Sequence, residues 1–228
     1  MNLPIFFTDN IQQRALNEDS SRHIAQVLRM EIGARLQLTD GKGNLSTAVL
    51  TNNHKKCCEI DIESIIVVPV PSNKITIAIS LVKNTSRFEW FLEKATEIGV
   101  TTIIPMLCSR TEKQHFRQDR MQGILVSAML QSKQTWMPTL MQPTKFADIL
   151  DYEASAKWIA HCEADDQKNQ LAAQEKCNDS LILIGPEGDF TMDEILQAKK
   201  NNFIPVALGN TRLRTETAGM VAVTLIQH

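Results

Sequence analysis

The sequence predicts an α/β protein in which a small β-barrel of residues 1–71 precedes a parallel-sheet domain of residues 72–228. Three observations support this prediction. From Lys74 onward, short apolar runs alternate with amphipathic segments, as strands buried on both faces alternate with helices. Before that point, short strand-type runs are separated by turns, which is typical of a small barrel. Between the two regions, the prolines of Val68–Pro71 disfavour helix and ladder pairing and mark a linker.

The first region contains one helix among its predicted strands. Ile5–Phe7 is a short apolar run, and Glu18–Met30 has a helical stripe formed by Ile24, Val27 and Leu28. Asp40–Gly43 has the composition of a hairpin turn. The other strand-type runs are Ala34–Thr39, Leu45–Thr51, Cys57–Ile62 and Ser64–Val68.

The second region alternates between strands and helices. Ser86 with Glu89 and Thr191 with Glu194 have the spacing of capping boxes, and Gly99 is suited to ending a helix. The last helix is apolar nearly all round, so we expect it to be buried, partly against a second subunit. The predicted strands are Ile75–Val82, Thr101–Leu107, Trp158–His161, Leu181–Ile184 and Ile204–Leu208. The predicted helices are 86–98, Asp119–Gln134, Gln167–Lys176, 191–200 and Thr217–Ile226.

Composition excludes several classes of protein. A hydrophobic content of 43% is sufficient for a core, and the net charge of -2 gives no overall electrostatic footprint for nucleic acid, so RNA binding would need a local basic patch. The five cysteines show no Cys/His ligand spacing, which predicts no metal site and suits a reducing cytoplasm. The first ten residues lack the pattern of a signal peptide. No apolar run reaches the roughly 18 residues that a membrane span requires.

Two glycine loops follow apolar strands near the C-terminus. The first is Gly185-Pro-Glu-Gly188, and the second runs from Gly209 to Thr217. Ligands bind at the carboxyl ends of strands in open α/β sheets, so we expect these loops to border a ligand pocket. The first loop does not have the pattern of a phosphate-binding loop. An ordinary connection between strand and helix is the structural alternative.

Charged residues accompany these loops. Arg212 and Arg214 flank Leu213, and two guanidinium groups at a strand end can bind an anion or stabilise developing negative charge. The alternative is a surface ion pair with Glu216. His161-Cys162-Glu163 follows another strand and is expected to form a third loop of the pocket. Candidate RNA contacts are Arg22, His23, Arg29 and Lys42 in the first region and Lys83 and Arg110 at the sheet edge. For the first region, charge alone favours a merely solvated surface.

Several motifs in order carry a resemblance to a known family. Ile184–Phe190 reads IGPEGDF and Leu208–Ala218 reads LGNTRLRTETA. They are accompanied by Lys94–Val100, by Gln131-Ser132 with Pro138, and in the first region by His23–Met30 and Asp40–Gly43. Together these motifs resemble the 16S rRNA (uridine-N3)-methyltransferase family of the SPOUT superfamily, along nearly the whole chain.

The resemblance implies a trefoil-knot methyltransferase domain, a PUA-like barrel that binds RNA, and a homodimer formed through the last helix. It implies no metal, a uridine of the small ribosomal subunit as substrate, and a cytoplasmic location. Arg214, assisted by Arg212, would stabilise the uridine anion, with Glu216 or Glu187 as candidate general base. The residues implied to hold S-adenosylmethionine are Cys162, Glu163, Ile184, Gly185, Pro186, Glu187, Gly188, Phe190, Leu208, Gly209, Asn210, Leu213 and Thr217.

The sequence departs from the family's pattern at three positions. Asp189 replaces a glycine, Thr211 replaces a common arginine, and Gln134 stands where an arginine is frequent. Asp189 is expected to matter least if its φ is ordinary, and Arg214 matches the motif in register whereas Arg212 does not. Two other functions remain open: a related enzyme that methylates a ribose 2′-hydroxyl, and an RNA-binding assembly factor without catalysis.

Overall fold

The computed structural model describes residues 3–112, 115–163, 168–175 and 177–228. Within that part of the chain the residues group into two compact units. One comprises Met1–Val70 together with Met129–Met137, and the other comprises Pro71–Ala128 and Pro138–His228. The return of residues 129–137 to the first unit has no signal in the sequence, since these residues continue and follow a predicted helix.

The first unit is built on a sheet whose described strands are β1 (Ile5–Phe7), β2 (Arg35–Thr39), β3 (Asn44–Asn52) and β4 (Glu59–Val67), paired in that order. β1 is parallel to β2, and the other pairs are antiparallel. Asp40–Gly43 joins β2 to β3 as predicted. The two runs predicted at 57–68 form one strand, because the register skips Glu63 between Ile62 and Ser64 as a β-bulge.

The helix of the first unit is shorter and differently wound than predicted. α1 (Glu18–Arg22) begins at Asn17, whose side chain accepts the Ser20 N–H, and it passes into a π-helix at His23–Val27. The Leu28 N–H donates to the His23 carbonyl five residues earlier. A π turn holds more residues than the 3.6 of an α-helix, so the predicted apolar stripe loses its phase. Ile24 is buried, but Val27 is 67% exposed, and the stripe assigned to it was wrong.

Residues 129–137 belong to the first unit through Trp136. Its indole N–H donates to the carbonyls of Val68 and Pro69 at 3.1 and 3.0 Å. The Gly43 N–H donates to the Thr135 carbonyl at 2.9 Å. The Trp136 ring occupies the space that a side chain at Gly43 would need, and Gly43 has a φ of 89°. Glycine is required there for both reasons.

The second unit is built on a sheet whose described strand pairs are parallel, in the order β10-β12-β9-β11-β5-β6-β7, with β8 paired to β6. Ile77, Ile103 and Ile182, on three neighbouring strands, are fully buried, as expected for strands covered on both faces. The strands are β5 (Lys74–Ser80), β6 (Thr102–Leu107), β7 (Thr139–Leu140), β8 (Thr144–Lys145), β9 (Ala156–Ala160), β10 (Asn169–Gln170), β11 (Asp179–Ile184) and β12 (Ile204–Ala207).

The helices that cover this sheet start and stop at identifiable residues. They are α2 (Thr85–Ile98), α3 (Gln118–Gln131), α4 (Phe146–Ile149), α5 (Met192–Lys200) and α6 (Thr215–Gln227). α2 begins at Asn84, whose side chain accepts the Ser86 N–H, so the predicted capping box at Ser86 was wrong. It ends at Gly99 with a φ of 106°, as predicted. The capping box of Thr191 and Glu194 at α5 is confirmed.

Two predicted helices differ from the structure. In 168–175 the chain forms β10 and one 3-10 turn at Leu171–Ala173 instead of an α-helix, while Gln167 and Lys176 lie outside the described residues. α6 is not buried all round: Ala222 and Val223 are buried, whereas several apolar side chains of another face remain partly exposed. These are Met220, Val221, Leu225 and Ile226. None of the described helices has the length and apolar content needed to cross a bilayer.

Candidate functional site

The carboxyl ends of β12, β9 and β11 open into one pocket. These strands are neighbours in the sheet, so the segments that follow them, at 208–214, 161–163 and 185–190, meet at one edge. The pocket has a volume of about 610 Å³. Both glycine loops border this common pocket.

Most of the residues implied to bind a ligand line this pocket. They are Cys162, Ile184, Gly185, Pro186, Glu187, Leu208, Gly209, Asn210 and Leu213, together with Arg212 and Arg214. The other residues of the predicted site are not among the residues that line the pocket. They are Glu163, Gly188, Phe190, Thr217 and Glu216. Sequence reasoning did not single out Lys168 or Thr215, which also line it. Lys168 stands in a segment predicted to be helical, and Thr215 was included only as part of the second loop.

The Phe190 ring packs against the first glycine loop at Gly185. Phe190 is buried in the core, with its ring 5.7 Å from that of Phe146. A side chain at Gly185 would lie 3.0 Å from the Phe190 ring, so the glycine lets the loop pass directly over the phenylalanine. The Gly185 carbonyl accepts a hydrogen bond from the Thr215 hydroxyl at 3.0 Å. This bond connects the first glycine loop to the first turn of α6.

Residues that follow β5 and β6 also form hydrogen bonds to the first glycine loop and the residues after it. The Lys83 N–H, after β5, donates to Glu187 Oε1 at 3.1 Å. The Arg110 guanidinium, after β6, donates to the Gly188 carbonyl at 2.7 Å and to the Phe190 carbonyl at 3.4 Å. Residues that were predicted as RNA contacts therefore bind the loop that borders the pocket.

A buried carboxylate positions the segment that carries Arg110. Glu194 is 5% exposed, and its Oε1 accepts the Ser109 N–H at 2.8 Å. Its other oxygen accepts the backbone N–H and the hydroxyl of Thr191. A buried carboxylate with these donors is satisfied by hydrogen bonds, as a buried charge must be. The capping box of α5 thereby also fixes the segment after β6.

Asp189 has a conformation that the sequence did not indicate. Its φ is 62°, in the left-handed region, so the condition under which Asp189 was expected to matter least is not met. Among residues with a side chain, aspartate and asparagine enter this region most readily. Its Oδ2 accepts the Cys162 N–H at 2.7 Å, and its Oδ1 accepts the Phe190 N–H at 2.8 Å.

The surroundings of Cys162 change the pKa of its thiol. Burial raises the pKa of the Cys162 thiol, and the charge of Asp189 raises it further, while Arg212 and Lys168 oppose the shift. A neutral thiol is a poor nucleophile and a poor metal ligand. Across the described ranges no group of histidine, cysteine and carboxylate residues could hold a metal ion.

Arg212 and Arg214 are exposed residues at the rim of the pocket. Arg214 is the N-cap of α6, so this residue stands at the positive end of a helix dipole, and its side chain makes no capping hydrogen bond. Glu216, in the first turn, is buried, and its Oε1 lies 3.7 Å from Arg87 Nε. Arg212 and Arg214 thus place two positive charges at the rim of the pocket, while Glu216 faces α2.

The residues predicted as RNA contacts differ in their exposure and in their contacts. Arg22 pairs with Glu18 at 2.7 Å, and the His23 ring packs edge-on against Phe6. Arg29 and Lys42 are exposed on the first unit. Lys83 forms an ion pair with Glu112 at 2.8 Å, and the hydrogen bond of this pair raises the Lys83 pKa.

Comparison with known proteins assigns this architecture to a family. The family model for an RNA methyltransferase domain matches residues 68–227. The chain belongs to the RNA methyltransferase family. A second family model, for an RNA methyltransferase PUA domain, matches residues 16–63. The predicted fold class, an α/β methyltransferase domain preceded by a small PUA-like β unit, and the predicted class of enzyme, an RNA methyltransferase, are confirmed.

Individual relatives agree with this membership. Ribosomal RNA small subunit methyltransferase E of Synechocystis sp. is 30% identical over 90% of this chain and 69% of the relative. The crystal structure of a probable rRNA-methyltransferase from Porphyromonas gingivalis has a TM-score of 0.92 at 36% identity, covering 97% of this chain and 95% of the other. Ribosomal RNA small subunit methyltransferase E from Neisseria gonorrhoeae, solved bound to S-adenosylmethionine, has a TM-score of 0.87 at 29% identity, covering 99% and 97%.

Proposed function

We propose that this protein transfers the methyl group of S-adenosylmethionine to N3 of a specific uridine in the 16S rRNA of the small ribosomal subunit. The observation that carries the proposal is the pocket at the ends of β12, β9 and β11, beside Arg212, Arg214 and the N-terminus of α6. The relatives named as small-subunit rRNA methyltransferases support the class of substrate, and the relative that binds S-adenosylmethionine supports the methyl donor.

The pocket suits S-adenosylmethionine in its size and in the chemistry of its walls. Its volume of about 610 Å³ lies within the roughly 300–1,000 Å³ of sites for small ligands. Ile184, Leu208 and Leu213 provide apolar contact for a flat base. Gly209 and Asn210 are exposed, so their backbone groups are accessible to polar atoms of the donor. We assign donor binding to the lining residues, and support of the loops to Glu163, Gly188, Phe190 and Thr217.

The chemistry explains why the arginines are placed beside the pocket. Uridine N3 carries a proton at neutral pH, and the neutral imide is a poor nucleophile. Loss of that proton leaves a negative charge on the base, which fixed cations stabilise. When bound, S-adenosylmethionine supplies an electrophilic methyl group and a neutral leaving group. We assign stabilisation of the uridine anion to Arg214, which adds its charge to the α6 dipole, with Arg212 assisting.

The carboxylates near the pocket have other contacts. Glu216 is buried and faces Arg87, and Glu187 accepts the Lys83 N–H. We therefore assign both glutamates to holding α6 and the first glycine loop, and loss of the N3 proton to water. This assignment replaces Glu216 as a catalytic residue. Positioning of the base then accounts for much of the rate enhancement.

The first unit and α6 are the parts of the chain that we assign to contact with rRNA and with a second subunit. We propose that Arg22, His23, Arg29 and Lys42, which are exposed on the first unit, contact rRNA phosphates. Lys83 and Arg110 are reassigned to the loops that they bind. We also propose a cytoplasmic homodimer formed through the partly exposed face of α6. Replacement of Leu225 by glutamate is expected to yield monomers in sedimentation experiments.

The test compares Arg214→Ala with Arg117→Ala, a matched loss of an exposed arginine outside the pocket lining. Small subunits lacking the modification are methylated in vitro, and nucleosides are analysed by mass spectrometry. Arg214→Ala is expected to slow formation of N3-methyluridine by about 10²–10³, while calorimetry shows S-adenosylmethionine affinity within about threefold of wild type, less than 1 kcal/mol. Arg117→Ala is expected to match wild type.

Three outcomes would contradict the proposal. Normal turnover by Arg214→Ala would remove this arginine from the mechanism. A 2′-O-methyl nucleoside as product of the wild-type protein would favour ribose methylation. Failure of the wild-type protein to bind S-adenosylmethionine would favour an assembly factor without catalysis.

A further inference from the structure

The segment after β9 is held in place by polar groups on both of its sides. On one side the Cys162 N–H donates to Asp189 Oδ2 at 2.7 Å. On the other side Lys168 Nζ donates to the carbonyls of His161 and Glu163 at 3.0 and 2.8 Å. The peptide that carries the Cys162 side chain into the pocket is thus fixed by one carboxylate and one ammonium group.

Asp189 itself belongs to a different part of the pocket. It directly follows Gly188, the last residue of the first glycine loop, and it lines the pocket. Its second oxygen accepts the Phe190 N–H at 2.8 Å, which orients the carboxylate. Through Phe190 this orientation is anchored in the core. Asp189 therefore connects the first glycine loop, whose base is anchored in the core, to the segment that follows β9.

The backbone of Asp189 shows that this connection has a cost. A residue with a side chain is strained in the left-handed region, where glycine is not. Asp189 has a φ of 62°. A carboxylate that accepts backbone N–H groups makes charge-assisted hydrogen bonds, which are about twice as strong as neutral ones. The side chain thus contributes something that glycine would not, at a position where glycine would be the least strained residue.

We propose that Asp189 is a positioning residue that locks the Cys162 segment to the first glycine loop and thereby fixes two walls of the methyl-donor pocket relative to each other. The proposal rests on the proposed function in taking S-adenosylmethionine as the ligand. Asp189 acts here through the Cys162 backbone. Without it the segment would have to be ordered at the moment of binding, and that ordering would reduce the affinity.

The test measures donor affinity by calorimetry in the full chain, without RNA. Asp189→Gly keeps the left-handed backbone and removes the carboxylate, and it is expected to weaken S-adenosylmethionine binding about tenfold, at the lower end of a charge-assisted hydrogen bond. Asp189→Asn tolerates the same φ and retains one oxygen acceptor, which can accept the Cys162 N–H or the Phe190 N–H but not both. It is therefore expected to weaken binding by about threefold, less than Asp189→Gly does. Asp193→Asn is the control, because Asp193 is an exposed acidic residue outside the pocket lining.

Binding of a second ligand distinguishes a role of Asp189 in positioning the Cys162 segment from a direct attraction of Asp189 for the sulfonium. S-adenosylhomocysteine lacks the positive sulfonium, and the lock acts on the shape of the pocket, so Asp189→Gly is expected to weaken both ligands to a similar extent. At saturating S-adenosylmethionine the kcat of Asp189→Gly is expected to recover to within about twofold of wild type, since no chemical group is missing. Thermal unfolding is expected to change by less than about 2 °C, because relief of strain offsets the lost bond.

The proposal is overturned if Asp189→Gly binds S-adenosylmethionine as tightly as wild type, or if Asp189→Asn binds as weakly as Asp189→Gly. A loss confined to S-adenosylmethionine, with S-adenosylhomocysteine unaffected, overturns it as well, since Asp189 would then act on the sulfonium charge. These affinities are independent of the RNA product. A failure of the proposed function would appear in the nucleoside analysis of the wild-type protein instead.

Discussion

Replacement of Gly219 by alanine tests the packing that holds α6 on the sheet. Gly219 lies in the middle of α6 and is buried. An added Cβ would lie 2.6 Å from Phe91 Cε2 and 2.8 Å from Ile79 Cδ1. Carbon atoms pack at about 3.5–4.0 Å, so both neighbours would have to move by about 1 Å. Phe91 and Ile79 are fully buried and have little room to move.

The expected magnitude is a difference between two opposing effects. Overpacking of a buried site costs roughly 1–3 kcal/mol, and two short contacts with buried neighbours place Gly219→Ala at the upper end. Alanine stabilises a helix interior by about 1 kcal/mol relative to glycine. The net destabilisation is therefore about 2 kcal/mol, which lowers the melting temperature by roughly 4–8 °C for a chain of this size.

The chain provides a matched control at Gly123. This residue also lies inside a helix, α3, but its added Cβ would meet nothing within 4 Å. Gly123→Ala is therefore expected to be stabilising by up to about 1 kcal/mol. Both variants are compared with wild type by scanning fluorimetry and by urea unfolding. If Gly219→Ala were as stable as Gly123→Ala, close packing between α6, α2 and β5 would be refuted.

Three further predictions concern other parts of the molecule. Gly43→Ala is expected to destabilise the first unit by roughly 2 kcal/mol or more, because the Trp136 ring fills the space that the new methyl group needs and the φ of Gly43 is 89°. Tryptophan fluorescence would report the displaced ring. Asn84→Ala is expected to cost about 1 kcal/mol in urea unfolding through loss of the α2 cap, and Asn84→Ser to recover most of it. Burial, with a contribution from Glu194, raises the pKa of the Cys108 thiol far above its ordinary value. Its contribution to stability is present below the unfolded thiol pKa of about 8.5 and declines above it, so unfolding free energy measured from pH 7 to 10 is expected to fall, and Cys108→Ala to flatten that slope.

The parts of the fold that were predictable are those in which local sequence and burial agree. Ile77 and Ile182 lie in apolar runs that end at loops, and such runs are strands in a sheet covered on both faces. Thr191 and Glu194 form a capping box whose geometry is set within four residues. The order of strands in the sheet was not predictable in this way, because pairing depends on contacts distant in sequence.

The failures have specific physical causes. The stripe of Ile24 and Val27 was assigned an α-helical period, but a π turn displaced its second half. The segment around Leu171 is rich in strong helix formers, such as Ala172 and Ala173, but pairing of its two-residue strand with β12 overrides this local preference. At the pocket, the glycines and arginines were visible in the sequence. The role of Asp189 was not, because a positive φ at a residue other than glycine leaves no mark in composition.

The return of residues 129–137 to the first unit has a consequence for how such a chain can be divided in the course of evolution. Recombination usually exchanges domains as continuous stretches of gene, cut at a single linker. A cut at the Val68–Pro71 linker would separate Gly43 from Trp136, and with it the indole donor from the carbonyls of Val68 and Pro69. The first unit can therefore be inherited intact only together with part of the second, so the two are expected to have diverged as one piece.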